Sequence, residues 1–145
     1  MPSDLALKTM NAVHKTMLTL SGGRLGWRVM GMPALELTTT GRRSGQQRTV
    51  MLTSPVQSGD AIVIVASRGG EDRSPGWFHN LIEHPEVSVA YNGQLARPMQ
   101  ARVANDEERA KLWPLVTAKY RGYATYQTRT SRVIPLVLLE PSTAG

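Results

Sequence analysis

Three arginines stand on one short loop. In LTTTGRRSGQQRTVMLT, Leu37 to Thr53, two strand-like runs flank GRRSGQQR, which carries Arg42, Arg43 and Arg48 among Gly41, Ser44 and Gly45. Glycine at both ends lets the backbone turn tightly and approach a ligand closely. Guanidiniums this close repel one another unless an anion or solvent accepts them, and their planar forks match phosphate and carboxylate. VASRGG, Val65 to Gly70, adds Arg68 at the end of another apolar run. The two segments read as an anion-gripping wall beside a strand-built groove. A solvated hairpin connection is the other reading of the same residues. Neither GxxxxGK[ST] nor GxGxxG is present.

Tyr120, Tyr123 and Tyr126 recur every third residue around Gly122. A helix or 3₁₀ turn puts their rings on roughly one side. They either line a pocket, stacking on a planar ligand and offering O–H donors, or pack on the body with their hydroxyls in water. Trp77 and Phe78 lie in PGWFHNL, and at least one belongs to the core. His79 and His84 flank Glu83 at a spacing that is not HExxH and does not share a helix face, so no metal site is expected. Ser44, Ser54 and Ser67 have no GxSxG context, and there is no Cys. Chemistry on this chain therefore calls for a bound cofactor, with the protein supplying position and electrostatics.

The elements that must carry these residues are mostly strands. Leu35 to Thr40, Arg48 to Ser54 and Ala61 to Ser67 are rich in Thr, Val and Ile, with Ser58-Gly59-Asp60 as a turn. Val87 to Tyr91 and Leu95 to Ala104 flank an Asn92-Gly93 hairpin turn, and Val133 to Leu139 is a last strand. Helical spacing covers Asp4 to Leu20, closed by Gly22-Gly23. Pro75 to His84 fits a short helix that Ser74 could cap. Asn105 or Asp106 starts a helix to about Lys119, with Glu107 and Glu108 suited to its first turn and Pro114 bending or interrupting it. The fold class is mainly β with short helices (α+β). About six antiparallel strands joined by hairpins point to a small barrel rather than a doubly wound sheet.

The 145 residues fit one domain, 1–145, with an amino-terminal helix over about 4–20. Without Cys there is neither a disulfide framework nor a thiolate metal site. No signal-peptide core or membrane-length apolar run is present, so a cytoplasmic chain is expected. The net charge of +6 invites a polyanion, and five arginines fall between Arg42 and Arg73. No aromatic lies between Leu37 and Ser74, which argues against nucleic acid and for a small molecule.

TTTGRRSGQQRT, VASRGG, PGWFHNL, NDEERAKLWP and the tyrosine triplet leading to RVIPLV occur in this order. Together they resemble the deazaflavin-dependent nitroreductase family, actinobacterial and especially mycobacterial oxidoreductases that use coenzyme F420. The resemblance runs from about Leu35 to Pro141. It implies a split β-barrel that binds F420 in a groove and passes hydride to quinones, nitroaromatics or unsaturated lactones. It places Arg43 and Arg48 on the cofactor's phosphate and polyglutamate tail, with Arg42 and Ser44 nearby. Ala66, Ser67 and Arg68 lie along the deazaflavin and its side chain, and Trp77 and Asn80 help form the groove. Tyr120, Tyr123 and Tyr126 shape the acceptor side, Tyr123 as the hydrogen-bond or proton donor, and Ser67 joins them as a catalytic position. Characterised members tend to line the pocket with aromatic residues; at these positions this chain has Thr53 and Phe78. An FMN-binding barrel and a non-catalytic F420 carrier are the alternative functions, with FMN the alternative cofactor. A monomer or homodimer is expected, as is a weak peripheral attachment of the amino-terminal helix to the inner face of the membrane.

Overall fold

The computed structural model describes residues 28–29 and 31–142. The expected helix over 4–20, and with it the expected membrane attachment, lies outside the described residues. Among those described, no helix is long and apolar enough to cross a membrane.

The strands are β1 (Arg28–Val29), β2 (Met32–Thr40), β3 (Gln47–Thr53), β4 (Val56–Ser58), β5 (Ala61–Val65), β6 (Glu86–Tyr91), β7 (Arg97–Val103) and β8 (Leu136–Pro141). Every pairing is antiparallel. The sheet runs β1-β2-β6-β7-β8-β5-β4, with β3 also on β2. β3 and β4 lie toward opposite ends of this order, and only Ser54 and Pro55 separate them in the chain. Ser54 makes the corner. Its hydroxyl reaches the carbonyls of Val63 at 2.7 Å and Val56 at 2.9 Å, and its N–H donates to Pro33 O at 2.9 Å.

This is the expected split barrel with two more strands than expected, β1 and β4, both too short to show an alternating pattern. β8 begins at Leu136 instead of Val133, because Val133 faces solvent and Pro135 has no N–H for a ladder. β5 stops at Val65, and Ser67 lies beyond it, before a 3₁₀ turn over Arg68–Gly70. The two-residue turn at Gly59-Asp60 and the Asn92-Gly93 turn form as expected, the latter with φ of 51° and 83°.

The helices are α1 (Gly76–Glu83), α2 (Asp106–Lys119) and α3 (Gly122–Thr128). Pro75, not Ser74, occupies the N-cap of α1. Asn105 caps α2 reciprocally with Glu108: its side chain accepts from Glu108 N at 2.8 Å and its N–H donates to Glu108 Oε1 at 3.0 Å. Pro114 lies inside α2 without interrupting it.

Alternation divides the core in two. Leu35, Leu37, Ile64, Val89, Met99 and Val137 fill the barrel, with Trp77 and Leu81 of α1 packed among them. Val63, Val65, Leu136 and Leu138 point to the other face of β5 and β8, where Leu112 and Val116 of α2 and Tyr123 of α3 cover them. Both faces of these two strands are buried, which explains the unbroken apolar runs AIVIV and LVLL.

Candidate functional site

The β2–β3 loop folds on itself. Gly41 N donates to Gln46 O at 2.7 Å and Gly45 N to Gly41 O at 2.9 Å, while Gly45 takes φ +72°. A Cβ at position 41 would fall 2.7 Å from Ser44 Oγ, so glycine is what lets the loop close. Ser44 Oγ accepts from Gln46 N at 3.2 Å.

Asn80 pins this loop from α1. Its Oδ1 accepts from Arg42 N and Arg42 Nη1, both at 3.1 Å, and its Nδ2 donates to Thr39 Oγ1 at 3.1 Å. Thr39 is 1% and Asn80 7% exposed, so the bond between them is buried, while the two to Arg42 are only partly so. Arg43 and Arg48 are exposed, and neither guanidinium has a partner among the described residues. Trp77 belongs to the barrel core and meets Phe78 edge-on, with centroids 6.5 Å apart.

The second segment expected at the site is the turn after β5. Ser67 is in the right-handed region and Arg68 in the left-handed one at φ 47°, an uncommon conformation for a side chain this large. Arg68 Nε binds Glu71 Oε2 at 2.7 Å, and its Nη2 is buried without a hydrogen bond. Arg132, from the segment before β8, reaches into this turn. Its Nε donates to Glu71 O (2.9 Å), Nη1 to Ser74 Oγ (3.2 Å), and Nη2 to Ala66 O (3.1 Å) and Ser67 O (3.0 Å). Burial lowers the pKa of this guanidinium, and Asp72 opposes the shift. Ser74 is thus a partner of Arg132 rather than a helix cap.

The tyrosines form one cluster. Tyr120 and Tyr123 have centroids 5.0 Å apart, and Tyr126 lies 6.4 Å from Tyr120 and 6.1 Å from Tyr123. Tyr123 is buried, and its hydroxyl is hydrogen-bonded to Thr53; burial raises its pKa and that bond partly offsets the rise. Tyr126 is pushed up to about 12, first by its hydrogen bond with Tyr120 and then by burial. Only Tyr120 and Tyr126 remain partly open, so the triplet is core and lining at once.

Two contacts link neighbouring parts of the expected site. Asn80 ties α1 to the arginine loop, and α1 follows the turn at 66–74. Gly70 of that turn sits at φ +85°, where a Cβ would lie 2.7 Å from Tyr126 O. No group of three or more metal-ligating side chains occurs among the described residues. The donor set fits an anionic cofactor: Arg43 on the loop and Arg48 at the start of β3 present guanidiniums with no partner among the described residues. Arg132 was not anticipated as part of this framework. Its acceptors lie 58 to 66 residues away in the chain, at separations that carry no sequence spacing.

The comparisons agree with the geometry. The family model for F420H(2)-dependent quinone reductase matches residues 10–141. An F420H(2)-dependent quinone reductase of Mycobacterium tuberculosis is 42% identical over 133 residues, 88% of this chain and 87% of that protein. A solved F420-H2 dependent reductase is 39% identical with a TM-score of 0.66, covering 74% of this chain and 94% of its own. A further solved structure, described as a domain-swapped dimer, is 36% identical with a TM-score of 0.69 and covers 92% of this chain and 99% of its own. Fold and site define a split-barrel deazaflavin oxidoreductase. The chain belongs to the F420H(2)-dependent quinone reductase family. It is an F420-dependent reductase of quinone-like acceptors, with coenzyme F420 as its cofactor.

Proposed function

We propose that the protein transfers a hydride from F420H2 to a small quinone-like, nitro or conjugated acceptor, with the arginine loop on the cofactor's tail and the tyrosine cluster on the acceptor. The observation that carries this reading is the pair Arg43 and Arg48, exposed and unpartnered among the described residues, the first on the loop that Asn80 clasps to α1 and the second at the start of β3. Two cations held apart from any carboxylate favour a ligand carrying several negative charges, as a phosphate and polyglutamate tail does. Arg42 contributes charge nearby while its Nη1 stays on Asn80. Ala66, Ser67 and Arg68 border the ring and its side chain, and Trp77 backs the groove from the barrel core. Asn80 acts by shaping the loop.

When bound, the reduced deazaflavin supplies the hydride. Negative charge then builds on an acceptor oxygen, where a neutral phenol is a suitable donor. Burial raises the pKa of Tyr123, which keeps the phenol protonated at working pH, and Thr53 partly offsets the rise. Tyr120 and Tyr126 hydrogen-bond to each other and border the acceptor, and Ser67 stands at the junction of the two sides. The reaction balances as one hydride and one proton added to the acceptor. We place the enzyme in the cytoplasm, as the absence of Cys supports. A homodimer is the favoured assembly over a monomer, supported by the solved relative described as a domain-swapped dimer.

Fluorescence titration with F420, and in parallel with FMN, tests the reading. F420 should bind more tightly than FMN, and Arg43→Ala and Arg48→Ala should each weaken F420 by roughly tenfold, the worth of one charge-assisted contact. Unchanged affinity in both variants would remove the loop from the site. A preference for FMN would replace the cofactor. Bound F420H2 that survives every acceptor offered would make the protein a carrier.

A further inference from the structure

Arg132 binds no part of the arginine loop, and its side chain carries no charge partner at hydrogen-bond distance. It donates instead to three backbone carbonyls and one hydroxyl of a single turn, at Ala66, Ser67, Glu71 and Ser74. A planar fork can hold such a set of acceptors at once, whereas a lysine ammonium is a point charge on a flexible stem.

In a trans peptide the C=O and the N–H of the next residue point in opposite directions. With the carbonyls of Ala66 and Ser67 drawn to Nη2, the N–H edges of Ser67 and Arg68 face away from Arg132. The dihedrals agree: right-handed Ser67 followed by left-handed Arg68 is the backbone pair that forms a concavity of N–H groups suited to an electronegative atom. Arg132 fills the carbonyl side, so a ring lying along residues 66–68 meets the N–H side. Charge on the carbonyls also polarises the same peptides and strengthens their N–H groups as donors.

Arg132 is itself held by the tyrosine helix. Gln127, next to Tyr126, donates from Nε2 to Arg132 O at 2.7 Å, and its Oε1 accepts from Ile134 N at 2.9 Å and Arg109 Nη2 at 3.3 Å. Arg109 Nε reaches Ile134 O at 3.1 Å.

We propose that Arg132 is a positioning residue for the reaction: it sets the peptide planes of residues 66–68 against the deazaflavin and, through Gln127, fixes that turn relative to the tyrosines. The inference rests on the cofactor placement proposed above. Arg132 touches neither cofactor nor acceptor.

The test uses Arg132→Ala in the full chain, with two kinds of readout. Hydrogen exchange on the ligand-free protein should rise over 66–74 and stay unchanged over 47–53. F420 affinity should fall roughly 10- to 100-fold, as expected for losing several bonds to a charged group. Turnover at saturating cofactor should fall while the acceptor KM changes little, and millimolar guanidinium should restore part of both losses. Unchanged exchange over 66–74 would overturn the clamp. Raised exchange with wild-type affinity and turnover would overturn the positioning role. Should the wild type fail to bind F420, the cofactor placement falls, and with it the role toward the ring. Exchange would still decide the clamp. If the alanine variant does not fold, Arg132→Lys keeps the charge without the fork and should show the same losses; wild-type behaviour there overturns the proposal.

Discussion

Removing the side chain of Asn80 should cost both stability and cofactor affinity, and the two costs have different origins. Asn80→Ala deletes three hydrogen bonds, those to Arg42 N, Arg42 Nη1 and Thr39 Oγ1. Arg42 is exposed and recovers water, so its two bonds contribute little to the stability loss. Thr39 is 1% exposed and recovers nothing. A buried polar group left unsatisfied costs about 1–3 kcal/mol. With a small packing loss the sum is about 2–3 kcal/mol, or a fall in Tm of roughly 5–10 °C for a domain of this size. Affinity falls for another reason: the loop carrying Arg43 is no longer ordered before binding. Fixing two side chains at about 0.5–1 kcal/mol each gives roughly a tenfold rise in the Kd for F420. Thermal unfolding followed by calorimetry and a fluorescence titration measure the two effects separately. Asn80→Asp is the informative control. Its carboxylate keeps both Arg42 contacts and can accept from the Thr39 hydroxyl, so affinity should stay within about threefold. If Asn80→Ala matched the wild type in Tm and Kd, the clasp would be idle. If Asn80→Asp lost affinity as badly as Asn80→Ala while keeping its Tm, Asn80 would be touching the cofactor's anionic part rather than shaping the loop.

Gly70→Ala should lower stability by about 2–4 kcal/mol, because φ +85° disfavours a Cβ and that atom would lie 2.7 Å from Tyr126 O. Calorimetry checks it, and a change under about 0.5 kcal/mol would contradict the close approach of turn and helix. Tyr126 should titrate late. Its pKa is pushed up to about 12, so the folded state holds that proton more tightly than an unfolded chain with a phenol near 10. The resulting stabilisation is complete below about pH 10 and disappears as pH climbs through 12. Tyrosinate absorbance in the folded protein should lag that of the denatured protein across this interval, and coincident curves would refute the Tyr120–Tyr126 hydrogen bond.

The barrel was legible because its strands alternate and its turns are chemically marked: the Asn92-Gly93 and Gly59-Asp60 turns form where the residues direct them. β4 was not legible. Three residues hold too little pattern, and its place depends on Ser54 bonding across to β5. Pro114 does not interrupt the helix, since the remaining bonds and the packing of Leu112 and Val116 carry α2 past one lost N–H. At the site, residue types revealed the arginines and tyrosines, but not their mutual placement. Ser74 looked like a cap because its position before Pro75 fits one, while its partner Arg132 lies 58 residues away. Asn80 and Arg132 act through backbone and buried hydroxyls, which leave no charge or spacing signature.

Gly122 lies directly beneath Tyr120, and any Cβ there would enter the ring, within 2.7 Å of its oxygen. With the acceptor placed on the tyrosines as proposed, the width of its side is tied to a position that contributes no atom to the chemistry. A lineage adapting to bulkier or slimmer oxidants has a lever here: one added methyl lifts an aromatic wall and leaves the hydroxyls of Tyr123 and Tyr126 covalently untouched. Diversity of acceptors within such a scaffold would then be written in its smallest residue rather than in its reactive ones.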